Sequence, residues 1–314
     1  MIKGRKILVT GCAGQIAFPM ARALAKENEV WGIARFSDPT TRRESEEAGI
    51  RTLAIDLENP DFSDLPRDFT HLLHLAAMVQ SDDYDRAIRI NAEGTGLLLS
   101  HCRNVEAALV MSTTSVYKPH PDPWHRFHED DPLGDIMLPM SPTYSVAKIA
   151  QEAVARFCAR EFGIPVTLAR MGASYGPRGG LPIFLMQALM AGQPVTTRWD
   201  PCAYSPIHDD DMLAHVGPLL EAASVPATIV NWAGDETESI QEIVAYGAGL
   251  LGIEPRIEVR EVPGASRGSA ADNRRRLAIT GPCKVAWRDG IRRVLAELYP
   301  ERVTATASWK DLPR

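Results

Sequence analysis

Short apolar runs alternate with amphipathic stretches along the first half of this chain of 314 residues. The pattern predicts six β-strands, which read KILVTG, VWGIA, IRTLAID, THLLHLAA, AALVMST and VTLARM. Helical patterns separate these runs, so each strand must reach the next by a crossover connection, and such crossovers are right-handed. The sequence therefore predicts an α/β fold built on a doubly wound parallel sheet.

The bulk composition limits the partners of the chain. Its formal net charge is -6 at pH 7, which offers no basic surface for nucleic acid. No apolar run approaches the roughly 20 residues of a membrane span. The five cysteines are odd in number and never show CxxC spacing, which favours reduced thiols over disulfides or a metal site. We therefore expect a cytoplasmic protein with a small-molecule partner and no metal, nucleic acid or membrane.

A glycine-containing turn follows the first predicted strand. In VTGCAGQIAFP, the spacing places Gly11, Gly14 and Ala17 between that strand and a predicted helix. Glycine permits backbone angles and a close approach that a side chain blocks, and the amides at a helix N-terminus bind phosphate. The turn therefore predicts a ligand that bears a phosphate or pyrophosphate.

The second predicted strand ends in an arginine where dinucleotide-binding folds commonly carry an acidic residue. That acid binds ribose hydroxyls, whereas EVWGIARFSD has Ala34 and Arg35 at this point. Because a guanidinium pairs well with a 2′-phosphate, the sequence favours NADP over NAD. Two alternatives stay open: Arg35 is an ordinary surface residue, or Asp38 reaches the ribose in another loop geometry.

A tyrosine and a lysine lie four residues apart on the predicted helix SPTYSVAKIAQEAVARF, so Tyr144 and Lys148 share one face. A phenol is a poor base at neutral pH, but a neighbouring ammonium stabilises the phenolate. The run STTS, residues 112–115, ends the predicted strand AALVMST at the edge where doubly wound sheets bind ligands. These groups predict proton transfer by Tyr144, with a hydroxyl that binds a substrate oxygen.

Motifs along nearly the whole chain resemble the extended short-chain dehydrogenases/reductases, the group of NAD(P)-dependent sugar epimerases and dehydratases. The resemblance rests on TGCAGQIA, Asp56-Leu57, HLAA, Asn91 with EGTG, STTSVY, YSVAK, RMGASYGPRGG, SPIHDDDM, NWAGDETESIQEI and ADNRRRLAITGPCKVAWRDGIRRVL. It implies a Rossmann domain with a smaller C-terminal substrate-binding domain, and a homodimer formed through helices that include the one with Tyr144.

The resemblance also implies roles for individual residues. Tyr144 matches the catalytic acid or base, Lys148 the residue that holds the nicotinamide ribose and lowers the tyrosine pKa, and Thr113 the catalytic Ser or Thr. The expected cofactor-binding residues are Gly11, Gly14, Gln15, Ile16, Arg35, Asp56, Leu57, Ala76, Ala77, Asn91, Tyr144 and Lys148.

The composition of the chain changes after Arg170, where GASYGPRGGLP is rich in glycine and proline. The chain returns to the sheet at ATIVNWAG. We therefore predict an NAD(P)-binding domain at 1–172 plus about 205–236, and a substrate-binding region at about 173–204 plus 237–314. The candidate substrate contacts are Ser115, Arg178, Arg198 and Arg274.

Two further segments, one rich in histidine and one rich in aspartate, are weaker candidates for a functional site. His120, His125 and His128 stand near acidic residues, but their irregular spacing in a proline-rich loop favours a solvated segment over a metal site. The aspartates of HDDDM favour stabilisation of a helix N-terminus over ligand contact.

The departures from the family pattern bear on the reaction. Thr114-Ser115 stands where the 4,6-dehydratases of the family carry an Asp-Glu type pair, and hydroxyls cannot replace those acids and bases. We therefore disfavour a dehydratase and expect hydride transfer at a carbinol carbon, by an epimerase or a dehydrogenase/reductase of a nucleotide-sugar or related substrate. Two alternatives stay open: an NADPH-dependent reductase of a non-sugar ketone or aldehyde, and a non-catalytic NAD(P)-sensing protein.

Overall fold

The computed structural model describes residues 2–139 and 141–303. The strands are β1 (Lys6–Thr10), β2 (Glu29–Ala34), β3 (Arg51–Ala54), β4 (His71–His74), β5 (Ala107–Thr113), β6 (Arg126–Phe127), β7 (Val166–Met171), β8 (Ser174–Gly176), β9 (Gly179–Gly180), β10 (Val195–Thr197), β11 (Ala203–Tyr204), β12 (Ile207–His208), β13 (Thr228–Trp232), β14 (Glu238–Ser239), β15 (Ile257–Val259) and β16 (Ala270–Ala271).

Helices cover both faces of the sheet and fill the C-terminal region. They are α1 (Ala17–Leu24), α2 (Pro39–Glu47), α3 (Tyr84–Ile88), α4 (Gly94–His101), α5 (Tyr144–Phe162), α6 (Leu181–Met190), α7 (Asp209–Glu221), α8 (Ile240–Leu251), α9 (Arg274–Thr280) and α10 (Trp287–Leu298). A π-helical segment at Arg89–Glu93 joins α3 to α4, and a 3₁₀ turn at Thr114–Val116 follows β5.

The main sheet is parallel and, within the described residues, has seven strands in the order β13-β7-β5-β4-β1-β2-β3. The chain runs outward from β1 to β3 and then returns to place β4 on the other side of β1, which makes β1 and β4 the switch point of a doubly wound sheet. All six predicted strands are present, and ATIVNWAG supplies the seventh. The predicted Rossmann fold is confirmed.

Each face of the sheet packs on its own apolar core. Met20 of α1 and Val216 of α7 belong to the core on one face, and Leu98 of α4 and Ala159 of α5 belong to the core on the other. Most of these side chains are fully buried, and burial of each large one stabilises the folded state by about 1.5–3 kcal/mol. This packing holds the carboxyl ends of the strands at one edge.

A third apolar core lies in the C-terminal region, where α6, α8 and α10 pack together around residues such as Met186, Val244 and Leu295. Helix α9 packs instead on α7 and β13. The division into two domains stays a prediction, and its last residues, 304–314, lie outside the described part of the chain.

One predicted helix is interrupted. The sequence AIRINAEGTGLLLSHCRN has a helical pattern after the fourth predicted strand, and the structure forms it with a π-helical segment at Arg89–Glu93. Within it, the side chain of Asn91 accepts a hydrogen bond from the Met78 N–H at 2.8 Å and donates one to the Met78 carbonyl at 2.9 Å. The wider π turn is thus tied to the loop after β4, a contact that helical periodicity does not encode. Across residues 2–139 and 141–303, none of the helices has the length and apolar content to span a membrane.

Candidate active site

Two adjoining cavities open along the carboxyl edge of the main sheet. The larger is a cleft of about 950 Å³ that follows the ends of β1, β2, β4 and β5. The smaller, of about 310 Å³, lies between β5 and the C-terminal region. Both cavities are lined by the same four residues at their junction: Gln15, Thr113, Gly172 and Ser174.

The glycine turn forms the middle of the larger cleft. Gly11 has φ +68°, and a Cβ at this position would approach the Cα of Ala76 to 3.1 Å, so the turn packs directly on the chain after β4. Gln15 and Ile16 line the cleft beside it. Helix α1 begins without a side-chain cap; the Phe18 N–H donates to the Gly14 carbonyl at 3.0 Å and Pro19 has no N–H, so the Ala17 N–H is the first-turn amide that, within the described residues, has no backbone partner. These features fit the pyrophosphate of a dinucleotide.

The far end of the cleft combines an exposed arginine with two acidic residues. Arg35, Asp56 and Leu57 all line it. Asp38 also lines it, but its carboxylate caps α2 by accepting hydrogen bonds from the Thr40 N–H and hydroxyl at 2.8 and 2.7 Å. Among the described residues, no carboxylate lies within 4 Å of the Arg35 guanidinium, so this cation faces the cleft edge unpaired.

The predicted cofactor residues near β4 divide into two groups. Ala76 and Ala77 line the cleft. Asn91 does not line it; this side chain is buried and holds the Met78 backbone instead. Asn91 therefore shapes the cleft wall from behind.

Thr113 lies at the junction of the cavities, and Tyr144 lies in the lining of the larger one. Both line the larger cleft. Burial of the phenol raises the pKa of Tyr144 to about 12, opposed by a hydrogen bond with the Thr113 side chain. The resemblance implies a lowered tyrosine pKa, whereas burial acts in the opposite direction because it disfavours the charged phenolate.

Lys148 is fully buried and does not line the cleft. Its Nζ donates a hydrogen bond to the Met111 carbonyl at 2.7 Å. Burial lowers the pKa of Lys148 to about 7, and the charge of Glu152 opposes this change. One turn of α5 separates Lys148 from Tyr144, and the ammonium lies between that turn and the end of β5.

A buried ion pair behind the site was not predicted from the sequence. The Arg170 guanidinium donates to both carboxylate oxygens of Glu152, at 2.9 and 2.8 Å, and the Ser112 hydroxyl donates to the same carboxylate at 2.6 Å. The signal was present, because Glu152 lies four residues after Lys148 on the apolar face of a helix. A charged residue at such a position needs a buried partner.

Hydroxyl groups and one arginine line the smaller cavity. Ser115, Arg198 and Tyr204 all line it. The Arg198 guanidinium donates to the Tyr204 hydroxyl at 2.8 Å, and within the described chain it has no carboxylate within 4 Å. Thr114 also lines the cavity, and its hydroxyl bonds that of Ser269 at 2.7 Å.

The other predicted substrate arginines lie outside both cavity linings. Arg178 pairs with Glu44 of α2 at 3.3 Å. Arg274 is exposed and pairs with Asp272 at 2.6 Å.

The histidine-rich loop and the HDDDM segment form ordinary structural contacts. In the proline-rich loop, His125 Nε2 bonds Asp131 at 2.8 Å, and no metal-binding cluster of His, Cys, Asp or Glu occurs in residues 2–139 and 141–303. The HDDDM aspartates occupy the first turn of α7 as predicted, although His208 provides the cap. Asp211 accepts from the N–H groups of Lys284 and Val285, whereas the buried Asp209 carboxylate has no hydrogen-bond partner among the residues that the structure describes.

The chain is similar to known proteins along most of its length. The model of the NAD dependent epimerase/dehydratase family matches residues 7–197. A dTDP-4-dehydro-6-deoxy-D-allose reductase of Streptomyces bikiniensis is 31% identical over 281 residues, which cover 82% of this chain and 84% of the relative.

Solved structures share the fold over nearly the full length. The UDP-glucuronic acid 4-epimerase of Bacillus cereus, in complex with UDP-glucuronic acid and NAD, is 25% identical with a TM-score of 0.79, covering 94% of this chain and 100% of its own. The dTDP-glucose 4,6-dehydratase of Bacillus anthracis, in complex with NAD, is 18% identical with a TM-score of 0.78 over 95% and 98% of the two chains. At that identity the second likeness concerns the fold alone.

Proposed function

The chain belongs to the NAD-dependent epimerase/dehydratase family, and from this premise we propose that it transfers hydride at a carbinol carbon of a nucleotide-sugar or related substrate. The carrying observation is the position of Thr113, which lines both cavities and shares the larger cleft with Tyr144. A substrate in the smaller cavity would therefore reach, beside Thr113, both the Tyr144 phenol and the cleft for the cofactor.

The larger cleft has the residues to hold a nicotinamide dinucleotide. The glycine turn and the N-terminus of α1 at Ala17 would hold the pyrophosphate, and Ala76 and Ala77 would bound the middle of the cofactor. When bound, the cofactor supplies or accepts the hydride. Arg35 supports NADP as the preferred cofactor, because Asp38 is engaged in capping α2 and the guanidinium is unpaired.

The proton path runs through Tyr144. In the reduction direction its hydroxyl gives a proton to the substrate oxygen, and in the oxidation direction it takes one. The Thr113 hydroxyl bonds that same oxygen and orients it. The Lys148 ammonium, one turn along α5, stabilises negative charge on the tyrosine when it is protonated.

The smaller cavity supports a substrate with hydroxyl groups and an anionic group. Ser115 offers a hydroxyl, and Arg198 offers a cation without an acidic partner among the described residues. A phosphate or carboxylate would bind such a guanidinium. Both features favour a nucleotide sugar over the alternative substrate, a non-sugar ketone or aldehyde.

A 4,6-dehydratase is disfavoured by the same cavity. Elimination of water needs an acid and a base besides the tyrosine. The Thr114 hydroxyl, at the position of the acid, is already bonded to Ser269, and its neighbour Ser115 is another hydroxyl. An epimerase and a reductase need only the hydride and proton transfers.

We also propose that the enzyme acts as a cytoplasmic homodimer. Leu97 on α4 and Phe157 on α5 expose 53% and 61% of their surface, which a second copy would cover. The free thiols of the described cysteines fit a reducing compartment.

The test is turnover by the purified protein with nucleoside-diphosphate hexoses and their 4-keto forms, with NADPH and NADH followed separately. An epimerase interconverts hexoses without net loss of the reduced cofactor, whereas a reductase consumes it in proportion to product. Tyr144→Phe should lower turnover by orders of magnitude and leave cofactor affinity nearly unchanged. Cofactor binding without turnover on sugar and non-sugar carbonyl panels would favour the non-catalytic sensor instead.

A further inference from the structure

A buried histidine lies between the glycine turn and the helix that carries Tyr144. His74 ends β4 and pairs in parallel register with Thr10, the last residue of β1 before the glycine turn. The His74 Nδ1 lies 2.8 Å from the Thr10 hydroxyl oxygen, and Nε2 lies 2.7 Å from that of Thr95 on α4. His74 is 1% exposed and lines neither cavity.

The hydrogen bonds of Thr10 determine what Nδ1 must do. The Thr10 hydroxyl oxygen accepts from the backbone N–H groups of Leu75 and Ala76, both at 3.0 Å. With both lone pairs used, the hydroxyl can only donate to its third partner. His74 Nδ1 is therefore an acceptor and carries no proton.

The bonds of Thr95 determine the state of Nε2 in the same way. The Thr95 hydroxyl donates to the Asn91 carbonyl at 2.5 Å and accepts from the Gln151 amide at 3.0 Å. The Thr95 oxygen can then only accept one further hydrogen bond. His74 Nε2 must therefore donate that bond and carry the ring proton. Only the neutral Nε2–H form of His74 satisfies every bond, and burial, assisted by the charge of Lys148, lowers the pKa of this ring to about 3.

We propose that His74 is a positioning residue, which sets the spacing between the cofactor-binding edge and the helix with Tyr144 and Lys148. Its bonds reach the turn at Thr10 on one side and, through Thr95 and Gln151, helix α5 on the other. Gln151 lies three residues after Lys148, on the same helix face. Through Thr95, this series of hydrogen bonds also reaches Asn91 and the Met78 backbone in the cleft wall.

The consequence for the reaction is geometric, and it rests on the proposed hydride transfer. Thr10 and Ala76 belong to the cofactor cleft, whereas Tyr144 belongs to α5. A small change in their spacing misaligns the phenol with the reacting carbon, and misplacement by about 1 Å can cost roughly 100-fold in rate. Binding of either ligand alone depends much less on that spacing.

The experiment compares His74→Asn with His71→Asn. His71 lies at the other end of β4 and is also buried, but within the described part of the chain its Nδ1 bonds only its neighbour Thr70. In His74→Asn the amide can still meet Thr10 but is too short to reach Thr95. We expect kcat to fall at least tenfold with substrate KM and cofactor Kd within about threefold of wild type, while His71→Asn keeps wild-type kcat.

A second variant and a spectrum separate positioning from plain destabilisation. His74→Gln, whose amide reaches as far as Nε2 and can donate to Thr95, should recover part of kcat. The ¹⁵N spectrum of the wild-type ring should show the Nε2–H form unchanged from pH 5 to 8. An Nδ1–H form, titration in that range, or equal kcat in both asparagine variants would overturn the proposal.

The spectrum does not require turnover, so its outcome is independent of the proposed function. If wild type binds the cofactor but turns over no substrate, the proposed function fails while the assigned ring state can still be correct.

Discussion

Replacement of Lys148 with methionine should stabilise the folded protein and abolish its activity. Lys148 is fully buried with one carbonyl partner, and burial lowers its pKa from 10.5 to about 7. Methionine has a similar length and no charge to bury. The variant thus separates the cost of the ammonium in the free protein from its use in the reaction.

The magnitude follows from the two pKa values. The gap between 10.5 and about 7, at about 1.4 kcal/mol per pH unit, corresponds to about 5 kcal/mol for holding the charged lysine in the fold. Loss of the bond to the Met111 carbonyl opposes this by about 1–3 kcal/mol. We therefore expect Lys148→Met to raise the free energy of unfolding at pH 7 by about 2–4 kcal/mol.

The pH dependence gives the sharper signature. Between pH 7 and 10.5 the folded wild type binds fewer protons at Lys148 than the unfolded chain does, so its free energy of unfolding rises with pH in that window. The variant has no such proton to lose. Its advantage over wild type should shrink by about 2 kcal/mol from pH 7 to pH 9.

The assay is urea unfolding at several pH values from 6 to 9, followed by tryptophan fluorescence. Lys26→Met is the matched control, because Lys26 is exposed on the surface beyond α1 and the substitution makes the same change of net charge. Its stability curve should run parallel to that of wild type. Parallel curves for Lys148→Met and wild type, or a less stable variant at pH 7, would refute the reasoning.

Three further substitutions test the cofactor site, a buried acid and a turn. Arg35→Ala should weaken NADPH binding at least tenfold and NADH binding by less than twofold in fluorescence titrations; equal losses would contradict a 2′-phosphate contact. Burial raises the pKa of Asp209 to about 7, so the free energy of unfolding of the wild type falls as pH rises from about 4 to 7. In urea unfolding, the stability advantage of Asp209→Asn over wild type should therefore grow over that range; a constant advantage would contradict the raised pKa. Gly180→Ala should lower the melting temperature more than Gly192→Ala, because both have positive φ but a Cβ at Gly180 would overlap the Ser174 carbonyl; equal losses would contradict the overlap.

Several site contacts could not be predicted from sequence because they join residues far apart in the chain. The Thr114 hydroxyl meets Ser269, and Asn91 holds the Met78 backbone instead of facing the cleft. Such contacts depend on which loops meet at the sheet edge. The order of strands decides that, and local periodicity carries no information about it.

Local sequence patterns were enough to predict the strands of the main sheet and the chemical groups of the site. Alternating apolar runs predicted the strands, because side chains of a buried parallel sheet must be apolar on both faces. The four-residue spacing placed Tyr144 and Lys148 on one helix face, because a helix repeats every 3.6 residues. Both are short-range properties of a chain.

The protonation and partners of those groups depend on how distant segments pack together. This packing turned the Lys148 ammonium toward the Met111 carbonyl, raised the pKa of Tyr144, and required the neutral form of His74. Each effect comes from removing a polar group from water and giving it particular partners. Burial and partners are set by the packing of distant segments, so they exist only once the chain has folded.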